Sequence, residues 1–144
     1  MANTGHQSIL VLVTKDNTPQ YNGISRYAHE NDLYLIPLDC KLENDVLRVS
    51  ATHEPVDFVR LKKIWNYSGI IVSPDVARHA YALGRKCHVP MVFPDPDMTP
   101  EEIGPGAVCV YSDSRAISGV AARELLGLGF EHYAFAPVLN ARNF

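Results

Sequence analysis

The chain has 144 residues, of which 47% are hydrophobic, so it is long enough for one domain with a buried core. The chain has 13 Lys and Arg residues and 16 Asp and Glu residues, a formal net charge of -3, which gives no electrostatic reason to expect that the chain itself binds DNA or RNA. No apolar stretch approaches the roughly 20 residues that span a bilayer, and the start MANTGHQS lacks the layout of a signal peptide, so neither a membrane partner nor export is expected.

The cysteines favour a cytoplasmic protein. Cys40, Cys87 and Cys109 form an odd number without a CxxC pair. Two of them lie in or beside apolar runs, where a buried thiol is ordinary. A reducing compartment fits this pattern.

The first third of the chain alternates between strand-like and helix-like segments. Residues 8–13 (SILVLV) predict a parallel strand that is buried on both faces. Thr18-Pro19 supplies a cap and a first-turn proline for a helix that continues to Asn31. Residues 33–38 predict a second strand. Residues 39–55 predict a loop, with at most a short extended piece at residues 46–49.

The middle third repeats the alternation. Residues 58–65 predict a second helix and residues 70–72 a third strand. Ser73-Pro74-Asp75 reads as a cap, a proline and a first-turn acid, which predicts a third helix. Residues 90–93 predict a fourth strand. Residues 93–102 (FPDPDMTPEE) predict an irregular loop, because the prolines and glycines in or just beyond them exclude a long helix before Ala107.

The last third reads as strand, helix and strand. Residues 108–111 predict a fifth strand, Asp113 can cap the following helix, and Gly129 supplies a left-handed stop. Residues 133–136 predict a further strand. Strands separated by helices require parallel crossovers, so the sequence predicts a doubly wound parallel α/β sheet whose ligands meet the carboxyl ends of its strands.

The apolar strand positions also predict the core. Nine side chains are expected to be buried there: Leu10, Val11, Leu12, Ile70, Ile71, Val92, Val108, Val110 and Phe135.

Common catalytic and cofactor motifs are missing from the sequence. No GxGxxG follows the first strand, and neither GxxxxGK[ST] nor GxSxG occurs. The six histidines lack the spacing that would let two imidazoles meet one metal. We therefore expect no catalytic residue, no cofactor and no metal site.

One short motif leaves an enzyme reading open. Residues 95–99 (DPDMT) match the DxDxT of haloacid-dehalogenase-type phosphatases, in which an aspartate nucleophile lies beside magnesium. In those enzymes the motif follows the first strand, whereas here it follows the fourth and lies among prolines. A small phosphatase-like enzyme is the alternative function, and a stand-alone dimerisation module is another.

Three stretches carry a resemblance to a known family. SGIIV, VPMVFPD and VYSDSRAISGVAARELLGLGFEHYAF resemble the N-terminal lobe of lactose-repressor-type effector-binding domains, which have a periplasmic-binding-protein-like fold. Ser114 stands where that family usually has asparagine, and no helix-turn-helix headpiece precedes the first strand. The layout is closest to xylose-operon-type transcription regulators, whose DNA-binding domain lies at the far C-terminus.

The resemblance implies a function and a set of partners. Residues 1–144 would form the N-terminal lobe of an effector-binding domain, without the second lobe and the DNA-binding domain. The protein would be a cytoplasmic, homodimeric regulator that senses a small molecule, with a sugar as the favoured class. It would contact DNA only through the domain that this chain lacks.

The resemblance also implies ligand-binding residues in the loops after the first, third and fourth strands. Lys15 and Asp16 occupy the first loop, Ser73 the second and Asp95 the third. A carboxylate accepts hydroxyl hydrogen bonds with charge assistance, and Tyr21 could cover the apolar face of a sugar. Because one lobe supplies one wall of a cleft, we expect this chain alone to bind its effector weakly and to self-associate.

Overall fold

The computed structural model describes residues 7–14, 18–96 and 98–134. The chain divides into two compact units, Met1–Tyr111 and Ser112–Phe144. The assignment of residues 1–144 to one lobe stays a prediction. Among the described residues, no helix combines the length and the apolarity that crossing a bilayer requires.

The first unit is an α/β sheet of six strands. The strands are β1 (Ser8–Val13), β2 (Tyr34–Glu43), β3 (Val46–Val49), β4 (Gly69–Ile71), β5 (Met91–Pro94) and β6 (Ala107–Val110). They lie in the order β3-β2-β1-β4-β5-β6, and all neighbours are parallel except β2 and β3. This mostly parallel sheet confirms the α/β class that the sequence predicted, and it is compatible with a Rossmann-like α/β fold.

Helices cover both faces of the sheet. Helix α1 (Thr18–Glu30) lies on one face, where its Ile24 lines a small depression together with Val11 of β1 and Ile71 of β4. Helices α2 (Phe58–Trp65) and α3 (Ala77–Gly84) pack on the other face. Their buried side chains join one core with alternate residues of the strands: Leu10, Leu12, Leu38, Cys40, Phe58, Ile70, Val72, Ala77, Ala80, Met91 and Phe93.

The predicted loop at residues 39–55 is wrong in its first half. Strand β2 continues to Glu43, and a tight turn at Asn44 and Asp45 leads into β3, which pairs with it antiparallel. Both turn residues have positive φ angles, of 49° and 60°, a conformation that Asn and Asp tolerate better than most residues. The hairpin extends the parallel sheet by an antiparallel edge strand.

The predicted core is partly confirmed. Leu10, Val11, Leu12 and Ile70 are buried. Ile71 and Val92 are half-buried.

The prediction was wrong for Val108 and Val110, which are 59% and 56% exposed. Strand β6 is the outermost strand of the described sheet, and side chains alternate between its faces. Ala107 and Cys109 therefore pack against the core, while both valines point to the opposite face. Phe135 lies outside the described residues.

The second unit contains helix α4 (Ser114–Gly127). The Asp113 carboxylate accepts a hydrogen bond from the Ala116 N–H at 2.9 Å, which confirms it as the N-cap. Gly129 has a φ of 72°, which confirms the left-handed stop. Of the strand predicted at residues 133–136, the two described residues, Tyr133 and Ala134, are not in a strand.

Candidate ligand site at the carboxyl edge of the sheet

The order of the strands creates a switch point between β1 and β4. From β1 the chain passes through α1 to β2 on one side, and it later reaches β4 on the other side of β1. Connections that leave two neighbouring strands in opposite directions open a crevice outside their carboxyl ends. Thr14 directly follows β1, and Ser73 follows β4 after Val72.

Two buried hydroxyl groups meet at this switch point. Thr14 is 6% and Ser73 4% exposed, and their Oγ1 and Oγ atoms lie 2.9 Å apart. Thr14 also donates to Oδ1 of Asp75 at 3.0 Å. The three side chains form a chain of hydrogen bonds that joins the ends of two parallel strands.

A carboxylate accepts hydrogen bonds only, so in the contact between Thr14 and Asp75 the Thr14 hydroxyl is the donor. In the contact between Thr14 and Ser73 either hydroxyl can be the donor.

Ser73 was predicted as a helix cap as well as a ligand-binding residue. Residues Pro74–Val76 form a 3₁₀ turn before α3 begins, and the Ser73 side chain makes no cap hydrogen bond to it. The hydroxyl is turned to Thr14 instead. Ser73 therefore occupies the predicted N-cap position, at the start of the 3₁₀ turn, without a side-chain cap hydrogen bond. It lies at the edge of the sheet where ligands were expected.

Two predicted site residues line one shallow depression. Tyr21 and Ser73 share it with Val13 and Pro94, and it holds about 10 Å³ of free space. Enclosed small-molecule sites typically measure about 300–1,000 Å³. The depression is therefore too small to enclose a small molecule.

Asp95 follows this depression on the chain but does not line it. It is exposed, its φ angle is 43°, and its N–H donates to the carbonyl oxygen of Val110 at 2.6 Å. The backbone at Asp95 is therefore tied to β6. Lys15 and Asp16, the other two predicted site residues, lie outside the described residues.

The thiol of Cys40 lies near two carboxylates at this end of the sheet. The pKa of its thiol is raised to about 12, first by burial and then by the carboxylates of Asp75 and Asp39. Its Sγ lies 3.8 Å from the carbonyl oxygen of Val13, at the end of β1. A thiol with so high a pKa is protonated at neutral pH and is a poor nucleophile.

A larger groove lies at the opposite edge. It holds about 650 Å³ between α1 and the amino ends of the strands, where Gln7, Ser68 and Pro90 line it together with Ile9 and Tyr27. It is lined mainly by apolar side chains. None of the predicted ligand-binding residues lies there.

Sequence reasoning missed Thr14 and Asp75. Thr14 is the first polar residue after β1, which was a usable signal. Asp75 was interpreted as an acidic residue in the first turn of a helix, and its contact with Thr14 spans 61 positions of the chain. That contact depends on the parallel pairing of β1 and β4, which places Leu10 beside Ile70.

Within residues 7–14, 18–96 and 98–134, no group of three His, Cys, Asp or Glu side chains is placed to hold a metal ion. No protein-family model, curated protein or solved structure matches the chain.

Proposed function

We propose that the chain is the effector-sensing lobe of a bacterial transcription regulator, with a sugar as the favoured effector. The observation that carries the proposal is the pair of buried hydroxyls, Thr14 and Ser73, at the switch point of the sheet. Ligands of doubly wound sheets bind at this position, and hydroxyl and carboxylate groups are the partners that sugar hydroxyls require.

The chemistry around the hydroxyls supports a polyhydroxylated ligand. Tyr21 lines the same depression as Ser73, so an aromatic ring is available to the apolar face of a sugar. Asp95 follows Pro94, another lining residue, and brings a carboxylate to the end of the neighbouring strand. This is the arrangement expected of one wall of a periplasmic-binding-protein-like cleft.

The depression is too small to enclose a sugar, so the proposed regulator needs a second lobe. Because it holds about 10 Å³, a sugar bound there would keep most of its surface in water. In the proposed regulator a second lobe covers the ligand from the other side, and a separate domain contacts DNA. We propose that the regulator works as a homodimer in the cytoplasm.

A titration followed by NMR tests the proposal. Amide spectra of the full chain are recorded with a panel of pentoses and hexoses up to high millimolar concentrations, so that weak binding is detected. At least one sugar should shift the amides near Thr14 and Ser73. Ser73→Ala should abolish the shifts, whereas Ser68→Ala, at the opposite edge beside the same strand, should not.

The alternatives give different results. Hydrolysis of p-nitrophenyl phosphate with magnesium that Asp95→Asn abolishes would favour a phosphatase-like enzyme and overturn the sensing function. Self-association in sedimentation experiments, without any response to the sugars, would instead favour a dimerisation module.

A further inference from the structure

We infer that the surface formed by α2, α3 and the turn after α3 is a docking site for an acidic, amphipathic segment of another protein. The surface combines a cluster of lysines and arginines with an apolar groove, and such a segment is complementary to both. This inference goes beyond the proposed sensing function and uses none of the residues of the proposed effector site.

Positive charge is concentrated in one part of the chain. Residues 57–89 contain six of the 13 Lys and Arg residues and only two of the 16 Asp and Glu residues, although the whole chain has a net charge of -3. One of the six, Arg78, is paired with Glu102. The other five form no ion pair with any described residue: Arg60, Lys62, Lys63, Arg85 and Lys86. This local excess of positive charge attracts an acidic partner.

Packing between neighbouring elements brings these cations to one surface. Helix α2 packs against α3 and against the 3₁₀ turn Arg85–Cys87 that follows α3. The Tyr67 hydroxyl donates to the carbonyl oxygen of Phe58 at 2.7 Å and lies 3.6 Å from Sγ of Cys87. The Lys62 ammonium lies 5.3 Å from the centre of the Tyr67 ring. Lys62 is therefore held beside the turn that carries the other cationic pair.

An apolar groove of about 410 Å³ lies among these cations. The residues that line it are Val56, Asp57, Phe58, Val59, Leu83 and Lys86. Lys63 lies one helical turn after Val59 and so continues the same row of α2. The Asp57 carboxylate, the one acidic group in this lining, caps α2 by accepting from the Arg60 N–H at 3.0 Å. Lysines thus flank the exposed apolar walls formed by Val59 and Leu83.

The shape and the chemistry of the surface favour one class of partner. A nucleic acid would place phosphates against the cations but would leave the apolar walls uncovered. A membrane presents a flat surface, which does not fill a concave groove. A second copy related by a twofold axis would bring the same lysines together. An acidic amphipathic segment can insert apolar side chains into the groove while its carboxylates pair with the lysines.

Peptide selection on the full chain tests the inference. A displayed library of random peptides is selected on the immobilised wild type, and the affinity of the enriched peptides is measured by fluorescence anisotropy. We expect these peptides to combine Asp and Glu with apolar residues at helical spacing, and to bind more weakly as the salt concentration rises. Lys63→Glu combined with Lys86→Glu should weaken binding at least about tenfold.

Matched controls separate this surface from general charge and apolarity. Arg26→Glu combined with Arg123→Glu makes the same change in net charge at exposed positions of α1 and α4, and it should leave the affinity unchanged. Leu83→Gln should weaken binding, whereas Leu126→Gln, at an exposed position of α4, should not. Because all the substituted side chains are exposed, we expect the variants to keep the wild-type fold.

Each other outcome overturns the inference in a recognisable way. It is wrong if no peptide is enriched, if the enriched peptides are not acidic, or if they bind the lysine double variant as tightly as the wild type. Co-sedimentation with phosphatidylserine vesicles, without peptide binding, would identify a membrane surface instead. Self-association that the lysine double variant abolishes would identify a second copy as the occupant. The sugar titration does not depend on any of these results, so the two proposals fail separately.

Discussion

The backbone N–H of Gly104 donates a hydrogen bond to the phenol oxygen of Tyr81 at 2.7 Å. The Tyr81 ring meets Phe93 of β5 edge-on, with 6.0 Å between the ring centroids. A second anchor joins Arg78 to Glu102, whose carboxylate also accepts from the Thr99 N–H. The loop after β5 is therefore held on α3 at two points, which restricts the position of the edge that carries Asp95.

Gly104→Ala should destabilise the protein. A Cβ at this position would lie 2.6 Å from the Tyr81 hydroxyl oxygen, so the ring or the loop must move, at a cost of about 1–3 kcal/mol. Chemical denaturation measures the loss. Tyr81→Phe removes the oxygen and should cost about 0.5–1.5 kcal/mol by itself, while making Gly104→Ala nearly neutral in the double variant. Additive losses would show that the clash with the hydroxyl is not the cause.

Acid should weaken the β2–β3 hairpin through Glu43. Its carboxylate accepts from Lys41 at 2.8 Å and lies 3.4 Å from Nδ1 of His53, and these contacts lower its pKa. A carboxyl group whose pKa is lowered by folding stabilises the folded state at any pH above its ordinary pKa. This contribution disappears as the pH falls through the lowered pKa.

Hydrogen exchange of the hairpin amides against pH measures this effect. The wild type and Glu43→Gln should differ at neutral pH and converge in acid, while Glu30→Gln on α1 should follow the wild type throughout. A constant difference between wild type and Glu43→Gln down to strong acid would contradict the role of the ionised carboxylate.

Sequence periodicity predicted the strands well but not what covers them. The apolar run of β1 predicted burial on both faces of the sheet, and Leu10, Val11 and Leu12 are buried. Val108 and Val110 are equally apolar, yet their exposure depends on which element lies over the outermost strand. That information is not local to the residues concerned.

The hairpin and the hydroxyl chain were missed for different reasons. In β2, Asp39, Lys41 and Glu43 alternate with Cys40 and Leu42, which is the period of a half-exposed strand, so the signal was present. The contact between Thr14 and Asp75 left no such signal, because it exists only after β1 and β4 have paired in one register.

Cys40 should be the least reactive thiol of the folded chain. Burial and the carboxylates of Asp75 and Asp39 raise its pKa to about 12, so almost no thiolate forms at neutral pH. Iodoacetamide labelling followed by mass spectrometry should modify Cys87 and Cys109, both half-buried, before Cys40. In urea the three rates should become similar.

The raised pKa of Cys40 also makes the free energy of unfolding depend on pH in the alkaline range. The folded pKa of the Cys40 thiol is raised above its ordinary 9.0, so its contribution to stability is complete below pH 9.0 and is lost as the pH rises toward 12. Cys40→Ala should remove this part of the alkaline loss. Rapid labelling of Cys40 in the folded protein would contradict the assigned environment.

Tyr67→Phe should destabilise the protein by about 0.5–1.5 kcal/mol, because it removes a buried hydrogen bond. The Tyr67 ring is fully buried, and its hydroxyl donates to the carbonyl oxygen of Phe58 at 2.7 Å. Burial also raises the pKa of this phenol, so the hydroxyl remains a donor at neutral pH. Tyr27→Phe is the matched control, since Tyr27 is 61% exposed, and it should change the free energy of unfolding by less than about 0.5 kcal/mol. Urea denaturation of both variants gives the comparison, and equal stabilities would show that the Tyr67 hydroxyl does not hold the start of α2.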